Sequence, residues 1–216
     1  MKLTYLFELC LNANYTRTEN SGDFAIVNRG NEMFLLFQCS NGLEDWKNNF
    51  DFPAVPYKDM GERWFCHKGF LKVWKSIEPH ISDYVKSSRA QKITVVGYSH
   101  GAAIATLAHE YVWFLRPDLR PFLSGYGFGC PRCYFGLPLK ASLRERWENF
   151  YPVRNVDDIV THLPPALLGF RHVNRVIEIG ERGKYSRIDA HRPESYLAEL
   201  RLADRSSLFA DYSKNC

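Results

Sequence analysis

The sequence predicts an α/β fold in which a mostly parallel central sheet carries helices on both faces. Apolar stretches typical of buried strands alternate along the chain with stretches typical of helices, and this alternation indicates a parallel sheet. A second observation is the turn at residues 97–101, which reads Gly-Tyr-Ser-His-Gly between a strand pattern and a helix pattern. Folds of this class place their sites in loops beyond the strand ends, so the turn is also the first place to look for chemistry.

The first half of the chain contains three predicted helices and three predicted strands. Residues 3–11 are apolar at 3, 6, 7 and 11, which is a helical spacing. The turn residues Arg29-Gly30-Asn31 separate two short apolar runs, which indicates two joined strands. Arg116-Pro117 ends the helix that follows the 97–101 turn. The predicted elements are helix 3–11, strands 24–27 and 33–37, helix 69–86, strand 92–97 and helix 100–114.

The second half continues the alternation through three strands and two helices. An aromatic-rich run, 122–128, and a shorter one, 150–153, have strand composition. The second leads into a loop that contains two adjacent aspartates, Asp157 and Asp158. The predicted elements are strand 122–128, helix 138–147, strand 150–153, strand 172–179 and helix 193–203. We expect one domain over residues 1–216, a length that can bury a sizeable core.

The glycine-flanked serine, Ser99, is the predicted nucleophile. The pattern G-x-S-x-G between a strand and a helix is the nucleophile elbow of α/β-hydrolases. Gly97 and Gly101 carry no Cβ atoms that would clash in so sharp a turn. The start of the following helix also favours negative charge that develops nearby. An accidental G-x-S-x-G in a loop is the alternative, and the flanking strand and helix patterns favour the elbow.

A serine hydroxyl needs a base that takes its proton and an acid that holds that base. In α/β-hydrolases the order along the chain is Ser, Asp, His. Chain order does not choose among the downstream candidates, which are the histidines His162, His172 and His191 and the acids Asp157, Asp158, Glu178, Glu181 and Asp189.

Five blocks between about residue 24 and about residue 200 resemble, in order, those of the class 3 lipase family, which includes the fungal triacylglycerol lipases. The family patterns are F-R-G-T/S with a downstream D-W, H-x-G-F, the elbow, G-x-P-R and D-I-V-P-x-L-P-P. In this chain the blocks read Phe37-Gln38-Cys39-Ser40 with Asp45-Trp46, His67-Lys68-Gly69-Phe70, the 97–101 turn, Gly129-Cys130-Pro131-Arg132 and Asp158-Ile159-Val160-Thr161-His162-Leu163-Pro164-Pro165.

The resemblance implies roles for individual residues. The family's acid opens the fifth block, which assigns the role to Asp158. The family's catalytic histidine stands just before a C-terminal helix with a similar Ser-Tyr reading, which assigns the base to His191. The resemblance further implies an oxyanion hole made of the Ser40 N–H, the Ser40 hydroxyl and the backbone N–H of His100. The side chain of His100 is expected to pack against a neighbouring element.

Residues 41–50 bear on the substrate. Leu43, Trp46 and Phe50 share one face of a short helical pattern whose remaining positions are polar. In the lipases that this chain resembles, a lid lies just after the oxyanion block and opens at a lipid surface. The segment is short and polar, so we expect at most a small lid and little interfacial activation. The alternative is a fixed helix that packs its apolar face on the core.

Composition and charge exclude several classes of function. The net charge is +4 and basic residues are spread along the chain, so no nucleic-acid surface is indicated. No run approaches the roughly 20 apolar residues of a membrane span, and Glu8 interrupts the apolar start where a signal peptide would lie. We therefore expect a cytoplasmic protein with reduced thiols, although export by another route stays open. Cys130 and Cys133 form a C-x-x-C for which structural roles are favoured.

These observations predict a serine carboxylic-ester hydrolase, a lipase or esterase, that forms an acyl-enzyme on Ser99 with Asp158 and His191 as partners. No metal or organic cofactor is implied. The expected partner is an ester or lipid substrate, with at most transient contact with a lipid surface, and the oligomeric state is not legible. The alternatives are a phospholipase or thioesterase with the same triad, or a non-catalytic binding protein on the hydrolase fold.

Overall fold

Helices and strands alternate through the computed structural model, which describes residues 2–20, 22–38, 53–58, 60–137 and 140–205. No helix in these ranges is long and apolar enough to cross a membrane. The strands are β1 Thr16–Arg17, β2 Asp23–Arg29, β3 Glu32–Gln38, β4 Ala54–Tyr57, β5 Trp64–His67, β6 Lys92–Tyr98, β7 Leu123–Phe128, β8 Tyr134–Phe135, β9 Phe150–Asn155, β10 Phe170–Arg171 and β11 Ile177–Ile179. The α-helices are α1 Leu3–Leu11, α2 Lys68–Ser87, α3 His100–Leu115, α4 Ala141–Arg144 and α5 Pro193–Arg205.

Seven strands form the central sheet, in the order β1-β2-β3-β6-β7-β9-β11. The four neighbouring pairs from β3 to β11 are parallel, and the two pairs at the β1 side are antiparallel. The parallel strands end at a common edge, and the loop after β6 carries Ser99 there. The predicted α/β fold with a mostly parallel sheet is confirmed.

Helices cover both faces of this sheet, and strand β3 shows how the sequence separates the two cores. Its side chains alternate in direction, as in any strand. Met33, Leu35 and Phe37 join the core beneath α2 and α3, while Phe34 and Leu36 join the core beneath α1 and α5. A strand that is buried on both faces has a continuous apolar run, which is the pattern that predicted this strand.

Helix α1 is tied to helix α5 at the far end of the chain. The Asp204 carboxylate accepts from the backbone N–H groups of Leu3 and Thr4 at 3.3 and 3.1 Å, and so caps the start of α1. Glu8 forms an ion pair with Arg201 at 3.0 Å. These contacts confirm the predicted helix at residues 3–11 and hold it against the C-terminal helix.

A second sheet, with four short antiparallel strands in the order β10-β8-β5-β4, lies outside the predicted pattern. Its strands are two to four residues long, too short for an alternating pattern to stand out. Strand β5 runs directly into α2, and β8 follows β7 by a short loop. The small sheet is therefore attached to α2 and to β7, which pairs with the nucleophile strand β6 in the central sheet.

Two predicted elements are wrong in extent. Only residues 177–179 of the predicted strand 172–179 pair in the sheet. Before them, the Asn174 side-chain amide donates to the carbonyl oxygens of Trp147, Glu148 and Phe150, which holds the chain away from a strand path. Of the predicted helix 138–147, residues 141–144 are α-helical and 145–147 form a 3₁₀ turn, while 138–139 lie outside the described residues.

Candidate active site

The nucleophile elbow is present at the end of β6. Ser99 has φ 56° and ψ −126°, a left-handed conformation that is uncommon for a residue with a side chain. A Cβ atom at Gly97 would lie 2.3 Å from the Gly101 carbonyl oxygen, and one at Gly101 would lie 2.2 Å from that of Phe37. Both positions therefore require glycine, and the tight turn leaves the Ser99 side chain at the edge of the sheet.

Ser99, His191 and Asp158 lie in one chain of hydrogen bonds. Ser99 Oγ is 2.8 Å from His191 Nε2, and His191 Nδ1 is 2.8 Å from Asp158 Oδ2. An ionised carboxylate only accepts hydrogen bonds, so Nδ1 carries the proton and Nε2 is left to accept from the serine hydroxyl. Asp158 is fully buried and His191 is 3% exposed. The three residues come from three different loops that are far apart in sequence, so the sequence alone does not show that they meet.

Glycine at position 129, in the fourth block, lets the backbone pass close to the imidazole. Gly129 has φ +60°, and a Cβ atom there would lie 2.8 Å from His191 Cε1 and 3.3 Å from Asp158 Oδ2. The block's arginine, Arg132, donates from its backbone N–H to the Leu163 carbonyl at 2.7 Å. The fourth block thus makes room for the histidine and anchors the loop that follows the acid.

Tyr196 is a member of the site that sequence reasoning did not assign. Its hydroxyl donates to Asp158 Oδ2 at 2.6 Å and accepts from the Asn155 backbone N–H at 3.1 Å. Burial, and then the Asp158 charge, raise the pKa of Tyr196 well above its ordinary value, which keeps the hydroxyl a donor. The only available signal was the Ser-Tyr reading after His191, which served to locate the histidine.

Tyr98 holds the histidine from the other side. Its ring stacks on the His191 imidazole with 5.3 Å between centroids and 20° between planes. Its hydroxyl donates to the His191 backbone carbonyl. Burial raises the pKa of Tyr98 above its ordinary value, so this donor is also retained. Tyr98 occupies a variable position of G-x-S-x-G, where nothing in the pattern indicates a role.

The other candidate acids and bases are bonded elsewhere. Asp157, the neighbour of the acid, accepts from the backbone N–H of Gly183 at 2.8 Å and organises a loop. The His162 ring is 3.2 Å from the Arg154 guanidinium. Three more have partners of their own: His172 is bonded to the Thr161 carbonyl, Glu178 is paired with Arg154, and Asp189 is bonded to the Ser186 hydroxyl. The last candidate acid, Glu181, is exposed to solvent.

The structure describes His100, one of the two predicted oxyanion residues. Ser40 lies outside the described residues, as do Leu43, Trp46 and Phe50 of the predicted small lid. His100 is the first residue of α3, so its backbone N–H lies at the start of the helix beside Ser99. Its side chain packs on the Phe70 ring at 5.1 Å, as predicted. Burial, and then nearby His67, lower the pKa of His100 to about 4, so the side chain stays neutral.

The histidine of the second block caps a helix. His67 Nδ1 accepts from the backbone N–H groups of Gly69 and Phe70, at 3.1 and 3.4 Å. These are two of the donors that a helix start leaves unpaired. The H-x-G-F pattern therefore joins β5 of the small sheet to α2, and the ring contributes to packing.

The C-x-x-C pair shows no redox or metal arrangement. Cys130 and Cys133 are buried and unpaired. Burial raises the pKa of Cys133 well above its ordinary value and that of Cys130 to about 12, so both thiols stay protonated and unreactive. Within the described residues, no group of three or more His, Cys, Asp or Glu side chains is placed to hold a metal ion.

Similar proteins are named lipases. A secreted mono- and diacylglycerol lipase of Fusarium solani is 30% identical over 164 residues, which cover 74% of this chain and 47% of that protein. A secreted mono- and diacylglycerol lipase of Penicillium cyclopium is 27% identical over 163 residues, covering 74% and 52%. The chain thus spans about half the length of the curated relatives it matches.

A solved structure agrees on the fold. The triacylglyceride lipase of Rhizomucor miehei superposes with a TM-score of 0.66 at 23% identity, covering 78% of this chain and 66% of that one. At this identity the likeness concerns the fold, and it confirms the α/β-hydrolase architecture predicted from the elbow.

The expectation of a cytoplasmic protein is wrong, because both of these sequence relatives are named as secreted. The expectation rested on the lack of a legible signal peptide, and such an absence does not determine where a protein acts. The buried thiols also need no reducing compartment, since burial alone keeps them protonated.

The family assignment rests on the order of the blocks and on a direct match. A family model described as lipase (class 3) matches residues 34–168, more than half of the chain. All five blocks lie inside the matched range, and His191 lies beyond it. The chain belongs to the class 3 lipase family.

Proposed function

We propose that this protein is a serine carboxylic-ester hydrolase that acts on lipid esters through an acyl-enzyme on Ser99. The observation that carries the proposal is the hydrogen-bonded series Ser99–His191–Asp158 at the common edge of the parallel strands. Two sequence relatives named mono- and diacylglycerol lipases support glycerol esters as the substrate class and an extracellular place of action. One domain over residues 1–216 is part of the same proposal, since both cores are built on the one central sheet.

The geometry suits a two-step reaction. His191 Nε2 takes the hydroxyl proton of Ser99 as Oγ attacks the ester carbonyl carbon. The tetrahedral intermediate collapses, the C–O bond to the alcohol breaks, and His191 gives its proton to the departing alkoxide. Water then attacks the acyl carbonyl carbon and loses a proton to Nε2. The acyl–Oγ bond breaks, His191 returns that proton to Ser99 Oγ, and the carboxylic acid leaves. Asp158 keeps Nδ1 protonated and stabilises the imidazolium that forms in each step.

The developing oxyanion needs donors beside Ser99. The His100 backbone N–H, at the start of α3, is one. The family resemblance adds the N–H and hydroxyl of Ser40. Removing one such donor lowers the rate by about 10²–10³ in other hydrolases. Both assignments belong to the proposal.

A fluorophosphonate probe tests the nucleophile. The wild-type protein should be labelled, Ser99→Ala should not, and Ser142→Ala, an exposed serine on α4, should be labelled like wild type. Hydrolysis of p-nitrophenyl esters of increasing chain length then measures acyl preference, with Ser99→Ala as the blank. Equal labelling of wild type and Ser99→Ala would remove Ser99 from the mechanism.

The base is tested by a matched pair of histidines. His191→Ala should lower kcat by orders of magnitude, because triad members act as a unit. His162→Ala should keep most of the activity, since that ring contacts the Arg154 guanidinium at the surface. The proposal fails if a folded His191→Ala protein turns over substrate at the wild-type rate.

A further inference from the structure

An exposed apolar surface lies on the small sheet, outside the catalytic residues. Four of its side chains are large, apolar and open to solvent: Phe65 is 36% exposed, Leu137 81%, Leu167 100% and Leu168 53%. Phe135 is half-buried between them. We name these five residues the apolar patch. Exposed apolar surface with a polar rim marks contact sites for proteins or membranes.

Strand pairing makes the apolar patch continuous. Phe65 lies opposite Phe135 in the β5–β8 ladder, with 6.4 Å between ring centroids. The Gly136 N–H donates to the Gly169 carbonyl at 3.0 Å. This bond joins the segment that ends in Leu137 to the turn that carries the two exposed leucines. Residues from three separate stretches of sequence therefore form one surface.

A row of rings connects the apolar patch to the nucleophile. Phe135 contacts Phe170 at 5.2 Å, and Phe170 contacts His67 at 6.0 Å. His67 contacts Phe70 at 4.4 Å, and Phe70 contacts His100 at 5.1 Å, next to Ser99. These contacts link the patch, through the buried rings of Phe170 and Phe70, to the residue that follows Ser99.

The charges around the patch are mostly positive. The stretches 60–68, 130–137 and 160–172 contain one acidic side chain, Glu62, which is bonded to Lys140 and Ser142. The Arg63 guanidinium lies over the Phe65 ring at 4.9 Å, at the border of the patch. The same stretches contain four basic side chains, Arg63, Lys68, Arg132 and Arg171. Of these, Arg171 is also placed at the patch, because its Nε donates to the Gly136 carbonyl at 3.0 Å.

We propose that the apolar patch seats the protein on an anionic lipid surface, with the exposed leucines entering the apolar layer and the basic rim facing the headgroups. Burying apolar side chains in lipid is favourable, and basic residues near an anionic surface add to the attraction. The inference rests on the proposed function, which supplies a substrate found at such surfaces. The patch is defined without residues 41–50.

The test measures binding without turnover. Protein with Ser99→Ala is sedimented with vesicles of phosphatidylcholine, alone or mixed with phosphatidylglycerol. A variant of this parent that also carries Leu167→Ser and Leu168→Ser should bind the mixed vesicles at least tenfold more weakly. The matched control adds Phe122→Ser and Leu202→Ser, which are also exposed apolar residues but lie before β7 and on α5, and it should bind like the parent.

Charge is tested separately. Arg63→Gln with Arg171→Gln removes the two basic side chains placed at the patch. The double substitution should lower binding several-fold on the phosphatidylglycerol vesicles and leave binding to pure phosphatidylcholine unchanged. Equal loss in the leucine variant and its control, or no parental binding to either vesicle, would overturn the proposal. A parental dimer that the leucine variant loses would also overturn it, and would assign the patch to a second copy of the chain.

Failure of the docking proposal is distinguishable from failure of the proposed function. Protein with active Ser99 and the two leucine substitutions should hydrolyse a soluble short-chain p-nitrophenyl ester at the parental rate. Its rate on an emulsified ester should fall with the loss of binding. If the protein hydrolyses none of the esters but still binds vesicles, the proposed function is wrong and the docking surface stands.

Discussion

Replacing Gly129 by alanine places a methyl group directly against the catalytic histidine. The new Cβ would lie 2.8 Å from His191 Cε1 and 3.1 Å from Nδ1. Gly30 supplies the matched control, because it has the same φ of +60° but nothing within 4 Å of a Cβ placed there. Both variants share the backbone penalty, and only one of them disturbs the site.

The size of each effect follows from these distances. An alanine in the left-handed region costs roughly 1–2 kcal/mol, so both variants should lose about that much free energy of unfolding. At Gly129 the imidazole must also move from 2.8 Å to the ordinary contact distance of 3.4 Å, a shift of about 0.6 Å. A misplacement of about 1 Å can cost 10²-fold in rate, so kcat should fall by roughly tenfold to a hundredfold.

The assay combines urea unfolding with kcat on a soluble p-nitrophenyl ester. Gly30→Ala should lose stability and keep wild-type kcat, while Gly129→Ala should lose both. The reasoning is refuted if Gly129→Ala, folded at the assay temperature, retains full kcat. It is also refuted if Gly30→Ala loses kcat to the same degree, since the loss would then follow from backbone strain alone.

Three further predictions concern carboxylates and the hydroxyl that supports one of them. Asp158→Asn should lower kcat by about 10⁴-fold, as the loss of a triad carboxylate does in other hydrolases. The control variant Asp157→Asn should keep most activity. The reverse result would show that Asp157, and not Asp158, is the catalytic acid. Tyr196→Phe removes a hydrogen bond to the buried Asp158 carboxylate and should lower the unfolding free energy by about 1.5–3 kcal/mol, with a smaller loss of kcat than Asp158→Asn; unchanged urea denaturation would contradict this. Burial raises the pKa of Glu110 from 4.5 to about 7, against the opposing hydrogen bond from Arg146. Because the folded-state pKa is the higher one, the stability that Glu110 contributes is present below pH 4.5 and is lost as pH rises through 7. Glu110→Gln should therefore flatten the dependence of the unfolding free energy on pH between those values. If the slope of that dependence is unchanged in the variant, Glu110 is not its source.

The nucleophile and the central sheet could be predicted because their signals are local. The elbow requires glycine at positions 97 and 101 for reasons that act within one turn and one neighbouring strand. Strands β3 and β6 are buried on both faces, which produces long apolar runs. The choice between Asp157 and Asp158 is different. Their roles depend on contacts with Gly183 and Tyr196, which are distant in sequence, and the family resemblance alone favoured Asp158.

Features that depend on distant pairing escaped sequence reasoning. The small sheet joins residues 65, 135 and 170, each in a strand of two to four residues. Tyr98 belongs to a motif that specifies other positions, and its stacking on His191 becomes visible only when residues 93 positions apart meet. The strand predicted at 172–179 is too long, because the Asn174 side-chain amide donates to three backbone carbonyls and redirects the chain before residue 177.

The contacts between α1 and α5 affect when the active site can form. Phe7 on α1 packs against Tyr98 and Tyr196, with centroid distances of 5.2 and 5.7 Å, and so lies behind the rings that hold the imidazole. Leu3 and its Asp204 cap are 201 positions apart, and contacts across so much chain form slowly. Within this sequence α1 precedes the central sheet, whereas Asp204 and Tyr196 on α5 follow its last strand, β11. His191 and Tyr196 also follow β11, so the triad and its supporting hydroxyl can form only after every strand of the central sheet has been synthesised.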